Sequence, residues 1–231
     1  MKSPWDQASE GAPRRRERFF NLPPIVTWTA IGLLGLYFLF VLLPPDMRQQ
    51  VIWDFAFVPA RFGALPPEYA NVPHSSALWG VLTMVTHTGL HGGLMHVGFN
   101  VAWLMAFGTV VARVGGTRGF VAVYVIGAMA GALLFWAMHP EELIPVVGAS
   151  GAISALMGAA VRFLYGPGLA RLTDPRVLTF TAIWLAINLV FGLGGFQIGG
   201  QSGQIAWEAH MGGYFAGLLI IPYFIRYRRP A

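Results

Sequence analysis

The sequence predicts an all-α membrane protein: one domain of six membrane-crossing helices with both termini in the cytoplasm. Three observations carry that prediction. Of 231 residues, 55% are apolar and only 11% charged, against about 25% charged in an average soluble domain. A water-soluble fold of this size could not cover its surface with so few charges. The apolar residues gather into six runs of 17 to 21 residues, close to the roughly 20 that a helix needs to cross a bilayer. Lys and Arg sit at the borders of those runs, 13 of the 15 on one side. That asymmetry is a topology signal and not a nucleic-acid stripe. The composition excludes a disordered chain, a coiled coil and a soluble enzyme. Cys is absent, which removes disulfides, thiolate metal sites and a cysteine nucleophile.

The runs, in order, are Ile25 to Leu43, Leu94 to Ala112, Phe120 to Met138, Leu143 to Val161, Val177 to Leu193 and Ile205 to Ile225. The first is too long for a signal-peptide core, and Pro44, Pro45 and Asp46 follow it in place of a cleavage site. It reads as an uncleaved span. Residues 1–22 read as a flexible cytoplasmic tail, 23–226 as the membrane domain and 227–231 as a short basic cytoplasmic tail. The loops after runs two and four are basic, whereas those after runs one and three hold only Arg48 and Arg61, so runs two, four and six enter from outside. The first outward loop is the longest, and it carries Trp53, Phe55, Phe57, Phe62, Tyr69 and Trp79. Such aromatic segments lie in the membrane interface. The fifth loop, Gly192 to Gln204, holds six glycines and reads as mobile.

Polar groups inside a membrane are expensive and mark function. Counting from outside, Ser150 lies in the first turns of run four. His210 lies a few residues into run six. His96 and Asn100, four apart on one helix face, open run two. Four polar side chains from three spans therefore share one depth in the outer half of the bilayer. A serine hydroxyl becomes a nucleophile when a base can take its proton, and His210 fits that role. The Ser150 backbone N–H, the His96 imidazole and the Asn100 amide are suitable donors to an oxyanion. No acid is placed to orient His210, because Glu208, two residues away, points to another side of the helix. A Ser–His dyad is the economical reading.

Glycines support the arrangement. Gly148 and Gly151 flank Ser150, which permits a sharp turn. Gly151, Ala155 and Gly158 form a small-residue stripe, as do Gly213 and Gly217 beside His210. Such stripes let membrane helices approach closely. Taken singly, each polar residue has a plainer reading: Ser150 as a helix-packing serine, His210 as a buried hydrogen-bonded histidine, and His96 and Asn100 as interhelical glue. Their coincidence at one depth reverses that. A second Gly-x-Ser-Gly, Gly200 to Gly203 around Ser202, lies in the glycine loop and reads as a turn. His91 reads as a structural hydrogen-bonding partner, His74 and His139 as solvated loop residues, and Asn188 as helix glue. No His is followed by Glu. His87 and His91 are four apart, but Gly89, Gly92 and Gly93 disfavour a helix there, so no metal is expected. All four Asp lie outside the runs, which removes an aspartyl dyad.

The motifs His91 to Asn100 (H-G-G-L-M-H-V-G-F-N), Gly148-Ala149-Ser150-Gly151 and Ala209-His210-Met211-Gly212-Gly213 with Gly217 match, in order and spacing, those of the rhomboid intramembrane serine proteases. The chain resembles that family over about Ile25 to Ile225, as a six-helix rhomboid-like bundle. The resemblance implies cleavage of transmembrane protein substrates in the lipid bilayer near its outer boundary. It implies Ser150 as nucleophile, His210 as base, and His96 and Asn100 in the oxyanion hole. A first loop partly sunk in the outer leaflet, a capping fifth loop and a lateral gate at span five are implied as well. No cofactor and no nucleic acid are expected, and the membrane is that of a bacterial cytoplasm. Two positions depart from the family pattern: Trp79-Gly80, where many members have Trp-Arg, and Ser154, where some have an aromatic against the histidine. Trp207 or Phe191 could orient the imidazole instead. The alternatives are a rhomboid-like client-binding protein without catalysis and, further off, a transporter or channel.

Overall fold

A computed structural model describes residues 22–63, 65–67, 76–166, 168–193 and 206–225. The two tails, Tyr69, His74, the Ser202 motif and residues 194–204 of the glycine loop lie outside the described residues. The chain is helical. Helix α1 is Pro24–Leu42, α2 Pro45–Phe55, α3 Ala77–Thr86 and α4 Leu94–Trp103. A π-helical segment, Leu104–Gly108, joins α4 to α5, Thr109–Met138. Helix α6 is Ser150–Val161, α7 Pro175–Leu193 and α8 Trp207–Ile220.

Among the described residues, three helical stretches are long and apolar enough to cross a membrane: Pro24–Leu42, Leu94–Met138 and Pro175–Leu193. A 19-residue helix spans about 29 Å, the thickness of a hydrocarbon core. Their outward faces carry Trp28, Ile31, Phe38, Leu178, Ile183 and Ile187, all exposed. In water this would be an oversized apolar patch, and against lipid it is unremarkable.

The 45-residue stretch is not one straight rod. Gly116 has φ 65 and ψ −171, a conformation that glycine adopts without steric cost, and the chain turns back there. A methyl added at Gly108 would lie 2.9 Å from the Phe120 ring, although twelve residues of straight helix would separate them by about 18 Å. Runs two and three of the sequence therefore form two arms of a hairpin. Apolar side chains of α1, α4, both arms of the hairpin and α6 meet in one core, including Val26, Val97, Leu104, Val123 and Leu156.

Helix α6 sits at the centre. Every residue from Gly151 to Val161 is buried, and its neighbours are chiefly α8 and α5. Its twelve residues span about 18 Å, too short to cross a bilayer. The sequence expectation of a span from Leu143 is corrected here. Residues 143–149 are not helical. Val146 pairs with Phe57 as a single antiparallel bridge, with bonds of 3.1 and 2.8 Å. Ala60 N–H donates to Glu142 at 3.1 Å. From the other flank, Gly148 N–H donates to the His87 carbonyl at 3.0 Å and Ala149 N–H to His91 Nε2 at 3.4 Å. Backbone groups that a helix would have satisfied internally are thus met by the first outward loop.

That loop is itself packed. Trp79 Nε1 donates to the Asp54 carbonyl at 2.6 Å. The buried Arg61 guanidinium stacks 4.6 Å over the Trp53 ring and donates to the carbonyls of Ala56 and Trp53. Gly80, one of the two departures from the family pattern, faces the Phe62 ring, where an added methyl would lie 2.9 Å away.

Candidate active site

Helices α6 and α8 run parallel and almost touch through their backbones. A methyl at Gly213 would overlap the Gly151 carbonyl, one at Gly217 the Ala155 carbonyl, and one at Gly158 the Tyr214 carbonyl. Helix α5 closes the third side. A methyl at Gly131 would lie 2.6 Å from the Ala209 carbonyl and one at Gly212 would lie 2.5 Å from that of Ala130. Side chains larger than hydrogen at these positions would force the helices apart. The packing fixes the relative height of the two helices, and so of the first residue of α6 and the fourth of α8.

Those residues are Ser150 and His210. His210 Nε2 lies 2.8 Å from Ser150 Oγ. Both side chains are half-buried, so the pair sits at the edge of the bundle and not in its centre.

Gly148 precedes Ser150 with φ +120, a backbone state that L side chains rarely adopt. A methyl there would lie 2.7 Å from His96 Nε2 and 3.8 Å from Ser150 Oγ. The imidazole of His96 and the Ser150 hydroxyl thus face one small volume, kept open because residue 148 has no side chain. Asn100 is buried one turn further along α4, and its amide donates to the His96 carbonyl at 2.9 Å. A carbonyl oxygen developing negative charge beside Ser150 would meet the His96 ring at the wall of this volume.

His210 has a second partner. Its Nδ1 lies 2.8 Å from Asn188 Oδ1 on α7, and Asn188 Nδ2 donates to the Trp207 carbonyl at 3.0 Å. The sequence reading of Asn188 as interhelical glue describes only the second of these bonds. An amide that the sequence reading did not assign to this role thus holds the imidazole. A signal was present. Asn188 is the only amide in the fifth run, five residues before its end, and His210 stands five residues after the start of the sixth. Two helices joined by one loop place such positions at one depth.

Glu208 points elsewhere, as expected. Its Oε1 lies 2.8 Å from His139 Nε2, which makes His139 a partner of α8 and not a merely solvated loop residue. His87 lies in a short 3-10 turn and donates from Nδ1 to Thr83 at 2.8 Å. Among the described residues no cluster of three or more His, Asp or Glu is arranged to hold a metal.

Comparison with known proteins gives two findings. The family described as Rhomboid domain matches residues 77–227, which include Ser150, His210, His96 and Asn100. Rhomboid protease GluP of Bacillus subtilis (strain 168) is 33% identical over 139 residues, 60% of this chain. The chain spans about a quarter of that relative's length, 25%.

Proposed function

We propose that this chain, which belongs to the rhomboid family, is an intramembrane serine endopeptidase acting through Ser150 and His210. One observation carries the reading: a serine at the start of one helix and an imidazole on its parallel neighbour lie 2.8 Å apart, at a height set by backbone-to-backbone packing. His210 Nε2 takes the hydroxyl proton as Ser150 Oγ attacks a peptide carbonyl. The oxyanion that forms is met by the Ser150 backbone N–H and the His96 ring, with Asn100 behind it. His210 then returns the proton to the leaving amine. Water, activated by the same imidazole, releases the acyl group. Gly148, Gly151, Gly213 and Gly217 support the geometry, and no cofactor takes part.

The substrate in this reading is a transmembrane segment of another protein. A peptide bond in an intact helix has its carbonyl and N–H internally bonded, so cleavage requires a segment that unwinds readily. In this reading the chain crosses the bacterial cytoplasmic membrane six times with both termini inside, the fourth crossing made by α6 together with the non-helical residues 143–149 on its outer side. Because the helix begins only at Ser150, Ser150 lies below the outer surface, and cutting occurs near that boundary.

The test is reconstitution in liposomes with a single-span reporter. Wild type should cut it and label with a fluorophosphonate. Ser150→Ala and His210→Ala should each lower cleavage by about 10⁴-fold or more, with Ser202→Ala unchanged. Labelling of Ser150→Ala, or loss of cleavage only in Ser202→Ala, would move the nucleophile elsewhere.

A further inference from the structure

The geometry points to Asn188 as a positioning residue that selects the proton-accepting form of His210. A neutral imidazole has two tautomers, and only the one with its proton on Nδ1 leaves Nε2 free to accept from Ser150. The structure shows what makes that choice. The Trp207 carbonyl can only accept a hydrogen bond, so the Asn188 group facing it at 3.0 Å must be the NH2. Amide orientation follows from such partners. The Asn188 oxygen is then the atom 2.8 Å from His210 Nδ1. An amide oxygen can only accept, so Nδ1 must carry the proton. Nε2 is left with its lone pair toward the Ser150 hydroxyl at 2.8 Å. One backbone carbonyl thus determines, through two side chains, which way the serine proton moves.

The choice of an amide fits the surroundings. Asn188 is buried in a helix whose neighbouring turns, from Phe180 on, are apolar except for Thr181. A carboxylate there would be a further charge removed from water, whereas a neutral amide supplies the same acceptor. Ser154, one turn beyond Ser150, offers no aromatic face to the ring. Asn188 touches no reacting atom. Its effect on rate rests on the dyad reading above, but the tautomer does not.

The experiment uses the full chain in lipid nanodiscs with ¹⁵N-labelled histidine, the His210 signals being assigned by difference from His210→Gln. Wild type should show a protonated Nδ1 and an unprotonated Nε2. Asn188→Ala should show a mixture of tautomers, and its kcat on the single-span reporter should fall about 10- to 100-fold, with KM within about threefold. Asn188→Asp keeps an acceptor for Nδ1–H and should regain most of that loss. A residue that merely ties α7 to Trp207 would leave the tautomer alone. The inference is overturned by a wild type protonated on Nε2, by the same single tautomer in Asn188→Ala, or by an Asn188→Ala kcat within twofold of wild type. Should Asn188→Ala fail to fold, the wild-type tautomer and the Asn188→Asp kcat decide. Should wild type cut no reporter, the peptidase reading fails, and the nitrogen signals still judge Asn188.

Discussion

Helices α6 and α7 both contribute to the candidate site, and they are held in opposite ways. Helix α6 is buried along its whole length after Ser150, with glycine and alanine bringing backbones into contact on two sides. Helix α7 buries only Val177, Asn188 and Gly192. It meets α8 along one stripe: Val177 against Tyr214 and Leu218, Thr181 bonded to the Tyr214 hydroxyl at 2.8 Å, Trp184 stacked on the Tyr214 ring at 4.2 Å, then Asn188 on His210 and Gly192 under Trp207. The distance between nucleophile and base is thus set by the rigid part of the molecule. The orientation of the base is set by the part that is attached along one edge, which is the helix expected from the family resemblance to move as a gate.

The strongest way to break this contrast is to add volume between α6 and α8. In Gly213→Val the new side chain would occupy the position of the Gly151 carbonyl. The helices cannot separate without moving Ser150 from His210. We expect a loss of about 3 kcal/mol or more in stability and a fall in fluorophosphonate labelling beyond 100-fold. Thermal unfolding in detergent and labelling of the surviving fraction check the two parts separately.

Gly148→Ala comes next, because it spares the helix packing and fills the space between His96 and Ser150. The substitution combines a strained φ with a methyl 2.7 Å from the His96 ring. The expected result is a fall of about 10² to 10³ in kcat, the size of a lost oxyanion donor, with a smaller loss of stability. Cleavage kinetics on folded protein separate this from Gly213→Val.

These two positions also show what was readable in the sequence. Gly213 and Gly217 stood out because helix interiors avoid glycine unless a backbone must come close, and Gly148 because it flanks the serine and permits a sharp turn; both signals are local. So were the apolar runs, which α1, α7 and the hairpin arms follow to within a few residues. Residues 143–149 misled because an apolar stretch in contact with a folded loop has the same hydropathy as a span. Long-range bonds distinguish them, among them the pairing of Val146 with Phe57, 89 positions earlier in the chain. The bond of Asn188 to His210 was hidden for a related reason. Its partner lies 22 residues on, and hydropathy gives the depth of a residue but not the direction in which it points.

Trp184→Ala tests the loose edge itself. It removes the stack on Tyr214 from a half-buried ring, and should cost about 2 kcal/mol. Because the α6–α8 contact is untouched, Ser150 should still label. The consequence belongs to α7: faster amide hydrogen exchange from Val177 to Asn188 and a fall in kcat of less than about tenfold. Equal exchange in α6 and α7 would mean that the two helices open as one unit, against the contrast drawn here.

The smallest effect is expected at the end of that edge remote from His210, where α7 begins. Asp174 precedes Pro175, a residue suited to the first turn because it has no N–H to satisfy. Asp174 Oδ1 accepts from the Arg176 backbone N–H at 2.9 Å, capping the helix. Its carboxylate also holds the Arg176 guanidinium at 2.8 Å. These bonds to Arg176 lower the Asp174 carboxyl to about 2, below the roughly 3.9 of an unfolded chain. A lowered acid stabilises the folded form above about pH 3.9, and that contribution disappears as pH falls through about 2. Asp174→Asn should therefore fray the first turn of α7 at neutral pH, and the difference from wild type should shrink on acidification. The pair is exposed, so salt should weaken it as well. Exchange at Arg176 to Phe180, followed from pH 7 downward, is the measurement. A gap that persists or widens in acid would show that α7 is anchored by its apolar stripe alone and that the charged cap contributes nothing to holding Asn188 in place.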